Sequence, residues 1–307
     1  MSLALTQKLV RHHSSNLTVK PAKYLVAQVD EAGIACFAYY PFMIAQLIFL
    51  CSAALVAGAI NSVAGGGTLL TFPALTWILG PSAASAVIAS ATSTVALFPG
   101  SLAATWGYRR EISTQRRWIV PLLIPSLIGG SLGTWLVVSQ DEAVFQEMVP
   151  WLILLASALF LLQPAITRWT GIGRPHELPS RATMACIIAF QSLIALYGGY
   201  FGAGIGILML SSLALMGIGD IHRMNALKSL LASAINGMSV AVFVLNGKVN
   251  WTYAVPMIMA GIVGGFIGAS VSRKLDRNVV RWVVIGIGFF LSIYYFTRVY
   301  LPSQSTA

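Results

Sequence analysis

Three consecutive glycines, Gly65 to Gly67, interrupt the apolar run NSVAGGGTLLTFPALTWILG at 61–80. A second cluster, GGYFGAGIG at 198–206, interrupts another. Glycine costs about 1 kcal/mol in a helix interior relative to alanine, and it permits backbone conformations closed to other residues. A helix restarting after such a break presents unpaired N–H groups and a partial positive charge. That end can bind an anion without a formal cation. The spacing predicts two short helices that begin this way, near Thr68 and near Ile205. Polar residues surround both breaks. Asn61, Ser62 and Thr68 flank the first, and Gln191, Tyr197 and Tyr200 precede the second. The next apolar segment carries SATST at 90–94, and its later counterpart carries Asn225, Lys228, Ser229, Ser233 and Asn236. The residues expected to meet a substrate are Asn61, Gly65, Gly66, Gly67, Thr68, Ser90, Thr92, Thr94, Gly204, Gly206, Asn225, Lys228, Ser229 and Ser233. Two structural readings stand beside this one. Glycine also lets helix backbones approach closely, and buried hydroxyls often bond only their own helix carbonyls. Lys228 is a cation within an expected span, where ionisable groups are functional by default, but it lies near the span's end and could snorkel.

Other chemistries find less support. Asp141, Glu142, Glu147 and Asp220 fall at segment edges or in loops, so no buried carboxylate offers itself as a proton carrier. GGSLG at 129–133 fits a serine-hydrolase elbow in pattern, yet it lies inside an apolar segment and not at a strand–turn–helix junction. GAGIG at 202–206 lacks the third glycine and the preceding strand of a dinucleotide fingerprint. His12, His13, His176 and His222 form no metal-ligand spacing. Cys36, Cys51 and Cys186 are widely separated and read as small packing residues. No cofactor is expected.

The elements that must position these groups are membrane helices. The chain has 307 residues, of which 57% are hydrophobic and only 9% charged, with a mean hydropathy of +0.79. A soluble domain carries about 25% charged residues. Ten apolar segments follow one another, at 36–60, 66–79, 83–106, 118–139, 143–163, 182–201, 204–218, 226–246, 251–271 and 279–299. Most reach the roughly 17–25 residues a spanning helix needs, while 66–79 and 204–218 are short. Backbone groups in lipid must be satisfied within the segment, which favours helices for runs of this length. The expected fold is an all-α polytopic membrane protein.

The net charge of +10 sits in short loops. It therefore reads as orientation and not as nucleic-acid binding. Arg109, Arg110, Arg116 and Arg117 share one loop; Arg168, Arg174 and Arg181 a second; Arg223 and Lys228 a third; Arg273, Lys274, Arg277 and Arg281 a fourth. These loops are expected to be cytoplasmic, and those near Asp141–Glu142 and Lys248 external. Alternation puts both termini outside, although Lys8, Arg11, Lys20 and Lys23 in the tail would favour an internal start. The tail shows no cleavable signal pattern.

The linker QPAITRWTGIGRPHELPSR at 163–181 divides the segments five and five. At an offset of 139, Gly65 falls on Gly204, Gly67 on Gly206, Gly80 on Gly219, Ser90 on Ser229 and Thr94 on Ser233. At an offset of 135, Pro121 falls on Pro256, Gly129–Gly130 on Gly264–Gly265, and Gly133 on Gly268. Five is odd, so the second copy must enter the bilayer from the opposite side. That is the inverted-repeat plan of secondary transporters, in which short, glycine-interrupted segments mark the binding site. The expected organisation is a tail at 1–35, a first repeat at 36–163, a cytoplasmic linker at 164–181, a second repeat at 182–299 and a C-terminal tail at 300–307. Gly129/Gly133, Gly261/Gly265 and Gly264/Gly268 read as helix-packing pairs instead.

AGGGTLLTFPAL at 64–75, the basic loop GYRREI at 107–112 and the GAGIG break resemble the sulfite exporter TauE/SafE family, over roughly residues 41–299. The resemblance implies a bacterial inner-membrane permease with duplicated halves. It also implies a small anionic substrate such as sulfite, sulfoacetate or a related organosulfur or carboxylate anion, often moved outward. Here the second short segment has Ser211–Ser212 where the first has Phe72–Pro73. The alternatives are an intramembrane enzyme, which would need a base beside Ser131, and a membrane anchor subunit for a partner.

Overall fold

The computed structural model describes residues 34–63, 66–80, 82–170, 181–214, 216, 218, 220–271 and 277–300. Expectations for the tail before 34, for 171–180 with Arg174, for Gly219, for Arg273 and Lys274, and for 301–307 lie outside the described residues. By contacts the chain divides into Met1–Ile44 and Ala45–Ala307. Of the first part, only the opening of one helix is described.

Among the described residues the chain is helical, with no strand. The helices are α1 (Ile34–Val63), α2 (Thr68–Leu79), α3 (Ala83–Gly107), α4 (Arg109–Ser113), α5 (Arg116–Ser139), α6 (Glu142–Thr170), α7 (Arg181–Tyr200), α8 (Ile205–Ala214), α9 (Ile221–Leu245), α10 (Trp251–Val271) and α11 (Arg277–Tyr300). Seven are long and apolar enough to cross a membrane, and Thr68–Leu79, Ile205–Ala214 and Trp251–Ile267 are shorter apolar helices. These ten fall on the ten expected segments. α4 has no counterpart among them, because RREIS carries no apolar run. Large apolar side chains cover the outside of the bundle, including Ile124, Trp135, Phe266 and Phe290. Water would penalise so much exposed apolar surface; a bilayer does not. The chain is a polytopic α-helical membrane protein.

Local sequence explains where the helices start and stop. Ser82 caps α3 by accepting the Ser85 N–H at 3.1 Å, and Asp220 caps α9 by accepting the His222 N–H at 2.8 Å. Gly202 and Gly204 end the α7 run with φ of +81° and +78°, a left-handed backbone that other residues resist.

Small residues set the closest helix crossings. α5 packs most extensively on α7. There a Cβ at Gly133 would strike the Leu196 carbonyl, and one at Gly129 would come within 2.7 Å of Ala195. α10 meets α1 in the same manner. Gly264 abuts the Leu55 carbonyl, and Gly58 abuts Gly261 and Gly265. The packing reading of these glycines holds at both crossings; the packing of Gly268 lies outside the described residues.

The two five-helix sets share one succession of long and short helices, with α1, α2, α3, α5 and α6 answering to α7, α8, α9, α10 and α11. Two of the corresponding pairs also touch, α3 with α9 and α6 with α11. Under the 139-residue offset Phe98 matches Gly237, and the Phe98 ring lies 3.4 Å from where a Gly237 Cβ would stand. Going on from Phe98, Ser233 Oγ donates to the Ser101 carbonyl at 2.8 Å, and the Thr105 hydroxyl donates to the Ser229 carbonyl at 3.0 Å. In the other direction Asn250 N–H donates to Thr92 Oγ1 at 3.1 Å. Rising numbers on α3 meet falling numbers on α9, so the pair runs antiparallel. α6 and α11 do the same: Tyr300 Oη donates to the Glu147 carbonyl at 3.2 Å, Ser292 Oγ donates to the Pro150 carbonyl at 3.2 Å, and Gly288 lies against Ser157.

Candidate substrate site at the two helix breaks

The first break leads from α1 into α2. Gly65 lies outside the described residues, while Gly66 and Gly67 are buried. The N–H groups of Leu69 and Leu70 turn back to the carbonyls of Gly66 and Gly67 at 3.1 and 3.0 Å, so α2 begins with a tight turn. A Cβ at Gly67 would stand 2.6 Å from the Ala57 carbonyl oxygen and 3.2 Å from Leu97 on α3. A Cβ at Gly66 would stand 2.6 Å from the ring of Phe160 on α6.

The second break leads from α7 into α8. The N–H groups of Phe201 and Gly202 both donate to the Tyr197 carbonyl, at 2.9 and 3.3 Å, and the Ile207 N–H donates to Gly204 at 3.1 Å. The Tyr197 hydroxyl ties the connection down by donating to the Ala203 carbonyl at 2.7 Å. Gly204 sits against α6, where an added Cβ would stand 3.6 Å from Ala156 and from Leu159. A Cβ added at Gly198, just before this break, would stand 3.2 Å from Ile235 on α9.

Both breaks therefore press on one stretch of α6, Ala156 to Phe160. They lie level with Leu97 and Ile235, beside the Phe98–Gly237 contact and halfway along α3 and α9. Phe72 of α2 and Phe201 of the second break meet edge to face at 5.6 Å, so α2 and the second break are in contact.

The expected polar residues divide into groups. Thr68 opens α2 half-buried beside the glycines, and Asn61 is half-buried near the end of α1. The Lys228 methylenes lie 3.6 Å from where a Gly206 Cβ would stand, so these two expected residues do come together. Asn225, one turn earlier on α9, is half-buried. Other hydroxyls hold helices together. Thr92 accepts the Asn250 N–H that opens α10. Ser233 bonds Ser101 and lies 2.7 Å from the Thr105 hydroxyl, and the Ser229 carbonyl accepts from Thr105. Thr94 donates to the carbonyl of Ser90 at 2.8 Å, the self-bonding that buried hydroxyls favour. Ser90 is buried.

Two polar ties near the breaks escaped the sequence reading. Ser93 shares a 2.5 Å hydrogen bond with Thr71 of α2, and Thr71 also donates to the Gly67 carbonyl at 3.3 Å. Thr134 donates to the Gly199 carbonyl at 2.7 Å and meets Ser239 Oγ at the same distance, joining α5, α7 and α9. Ser93 stood within the quoted SATST cluster, so composition was a usable signal. Nothing in the sequence singled out Thr134. At the end of the bundle that carries Asp141, Lys248 and Glu142 form an ion pair at 2.7 Å between the two loops expected to be external. Ser131, the one candidate nucleophile, donates to its own helix at Leu127, 2.7 Å away.

No cluster of metal-binding side chains occurs among the described residues. No solved structure matches the chain. Sequence comparison is more informative. A probable membrane transporter protein of Haemophilus influenzae is 29% identical over 238 residues, covering 77% of this chain and 89% of that protein. The probable membrane transporter protein YfcA of Escherichia coli K12 is 27% identical over 264 residues, covering 85% and 93%. The probable membrane transporter protein YunE of Bacillus subtilis is 24% identical over 265 residues, covering 79% and 96%. The family model for the sulfite exporter TauE/SafE matches residues 50–295, the whole span from the middle of α1 to near the end of α11. A polytopic helical bundle with broken helices at its centre, relatives named as transporters along most of its length, and that family match lead to one conclusion: the chain is a membrane transporter, not an enzyme, and belongs to the sulfite exporter TauE/SafE family.

Proposed function

We propose that this transporter moves a small anion, sulfite, sulfoacetate or a related organosulfur or carboxylate anion, outward across the bacterial inner membrane. The substrate sits between the two glycine breaks. The convergence of Gly66 and Gly204 on Ala156–Phe160 of α6 carries this reading. The partial positive charge of the two helix starts favours an anion there; the N–H groups of Leu69, Leu70 and Ile207 are held by the breaks' own carbonyls, and Thr68 and Lys228 are polar side chains beside the breaks. The family name supports a sulfur oxyanion as the first substrate to try.

The transport cycle is a rocking of one five-helix set against the other. Its basis is an inverted repeat, supported by the antiparallel course of α3 with α9 and of α6 with α11. The basic loops at Arg109–Arg117 are cytoplasmic in this scheme, and the Glu142–Lys248 pair is external. The test is reconstitution into liposomes with labelled sulfite, sulfoacetate and taurine. Flux of at least one, lost in Gly66→Leu, is the expected result. A Gly66→Leu protein that folds and transports at the wild-type rate would remove the breaks from the mechanism.

A further inference from the structure

Between α1, α2 and α11 lies a groove of about 430 Å³, open to the outside of the bundle. Leu70, Pro73, Ala53 and Ile287 line its depth, and Trp77 and Phe290 stand exposed at its rim. Here α2 reaches α11 chiefly through Tyr295, which bonds Thr76 and lies 6.2 Å from Phe72.

The groove is polar at one end only. Near the α2–α3 turn it runs into a small recess where Thr76, Ser82, Gln146 and Arg298 come together. The Arg298 guanidinium donates to the Tyr294 hydroxyl at 3.2 Å, which holds it over the groove's mouth. At the other end the groove reaches Leu69, whose N–H closes the first turn of α2 on Gly66. From Ile287 to Arg298 the α11 backbone climbs roughly 16 Å at the rise of an α-helix. Half the hydrocarbon thickness of a bilayer is about 15 Å. The groove thus runs from a headgroup level to the bilayer centre, apolar below a polar mouth that Arg298 closes.

We propose that this groove is a lipid site: one acyl chain of an anionic phospholipid lies along Leu70, Pro73 and Ile287, with its phosphate on Arg298. The lipid comes from the leaflet on the α2–α3 turn side. Its chain end rests against the first turn of α2, beside the break, so the site couples bilayer composition to the helix that borders the substrate. The inference stands on the groove and does not depend on which substrate is carried.

Native mass spectrometry of the full-length protein, given equal amounts of phosphatidylglycerol and phosphatidylcholine, tests it. One tightly held lipid, enriched in phosphatidylglycerol, is expected. Arg298→Gln, an exposed change that leaves the fold alone, should lower the glycerol-to-choline ratio about fivefold, as expected for one interfacial cation. Ala53→Trp, which fills the groove, should remove the held lipid of both kinds while the melting temperature stays within a few degrees of wild type. Glycerol 3-phosphate, a headgroup without chains, should not compete. An unchanged ratio in Arg298→Gln, full competition by glycerol 3-phosphate, or a dimer cross-linked through Trp77 would each overturn the proposal. None of these outcomes bears on anion flux in the reconstituted wild type.

Discussion

Replacing Gly67 with alanine probes the first break with a single methyl group. Gly67 has φ −57° and ψ −32°, a backbone any residue accepts, so only space is at issue. The added Cβ would stand 2.6 Å from the Ala57 carbonyl oxygen, against 3.4 Å for ordinary contact, a shortfall of 0.8 Å. The obstacle is backbone on one side and Leu97 on the other, so relief requires α2 to move away from α1. Overpacking of this kind costs about 1–3 kcal/mol. In a chain of this size that corresponds to roughly 2–4 °C of melting temperature per kcal/mol. Gly66→Ala meets the tip of the buried Phe160 ring instead, the end of a side chain and not backbone, and should cost less than Gly67→Ala. Gly100→Ala, inside α3 with nothing within 4 Å of its Cβ, should be neutral or gain up to about 1 kcal/mol from helix propensity. The assay is thermal unfolding in detergent for all three, paired with flux in liposomes. The expected order of stability is Gly100→Ala at or above wild type, then Gly66→Ala, then Gly67→Ala, with flux falling most in the last. Equal melting and equal flux for Gly67→Ala and Gly100→Ala would refute the packed break.

Three further outcomes are expected. Ser93→Ala removes the tie between α3 and Thr71 and should lower stability by about 1 kcal/mol, read by the same thermal unfolding, with a larger proportional effect on flux than Ser131→Ala, whose hydroxyl bonds only its own helix. Gln191 is buried, donates to Ser126 at 3.0 Å and leaves its amide oxygen without a partner, so Gln191→Leu should be neutral or stabilising; a marked loss of flux with a raised melting temperature would reveal a transport role for that oxygen. Cysteines at 142 and 248, in place of an ion pair whose own contribution to stability is no more than about 1 kcal/mol, should arrest flux when bridged by a bifunctional methanethiosulfonate reagent long enough to span the former ion pair, and release it on reduction. Undiminished flux in the cross-linked protein would rule out a cycle that parts those loops.

Much of this arrangement was readable beforehand, for identifiable reasons. Hydropathy located the ten apolar helices because lipid leaves the backbone one solution per segment. The glycine runs located both breaks because no other residue is so costly in a helix and so common there. What the sequence could not convey was the partner of each group. Thr92 and Ser233 look alike in a list of buried hydroxyls, yet one caps the entry to α10 and the other bonds across to Ser101. The role of α6 as the surface where both breaks meet rests on Ala156, Leu159 and Phe160, ordinary apolar residues whose importance comes only from what packs on them. The short helix α4 was hidden because it lies in a polar loop.

The contact between Phe98 and Gly237 carries one last implication. Under the 139-residue offset these residues fall at one place in the two halves, and the Phe98 ring occupies the room beside Gly237. A pair of identical, separately made halves would set the same side chain against itself there, ring on ring or gap on gap. Joining both halves in one polypeptide frees each to specialise, so the middle of the bundle can be filled lopsidedly. If the two sets are an inverted repeat, a protein cut in two and rebuilt from duplicate first halves should assemble poorly for that reason alone, and placing a glycine at position 98 in one of the two copies should be the most economical repair.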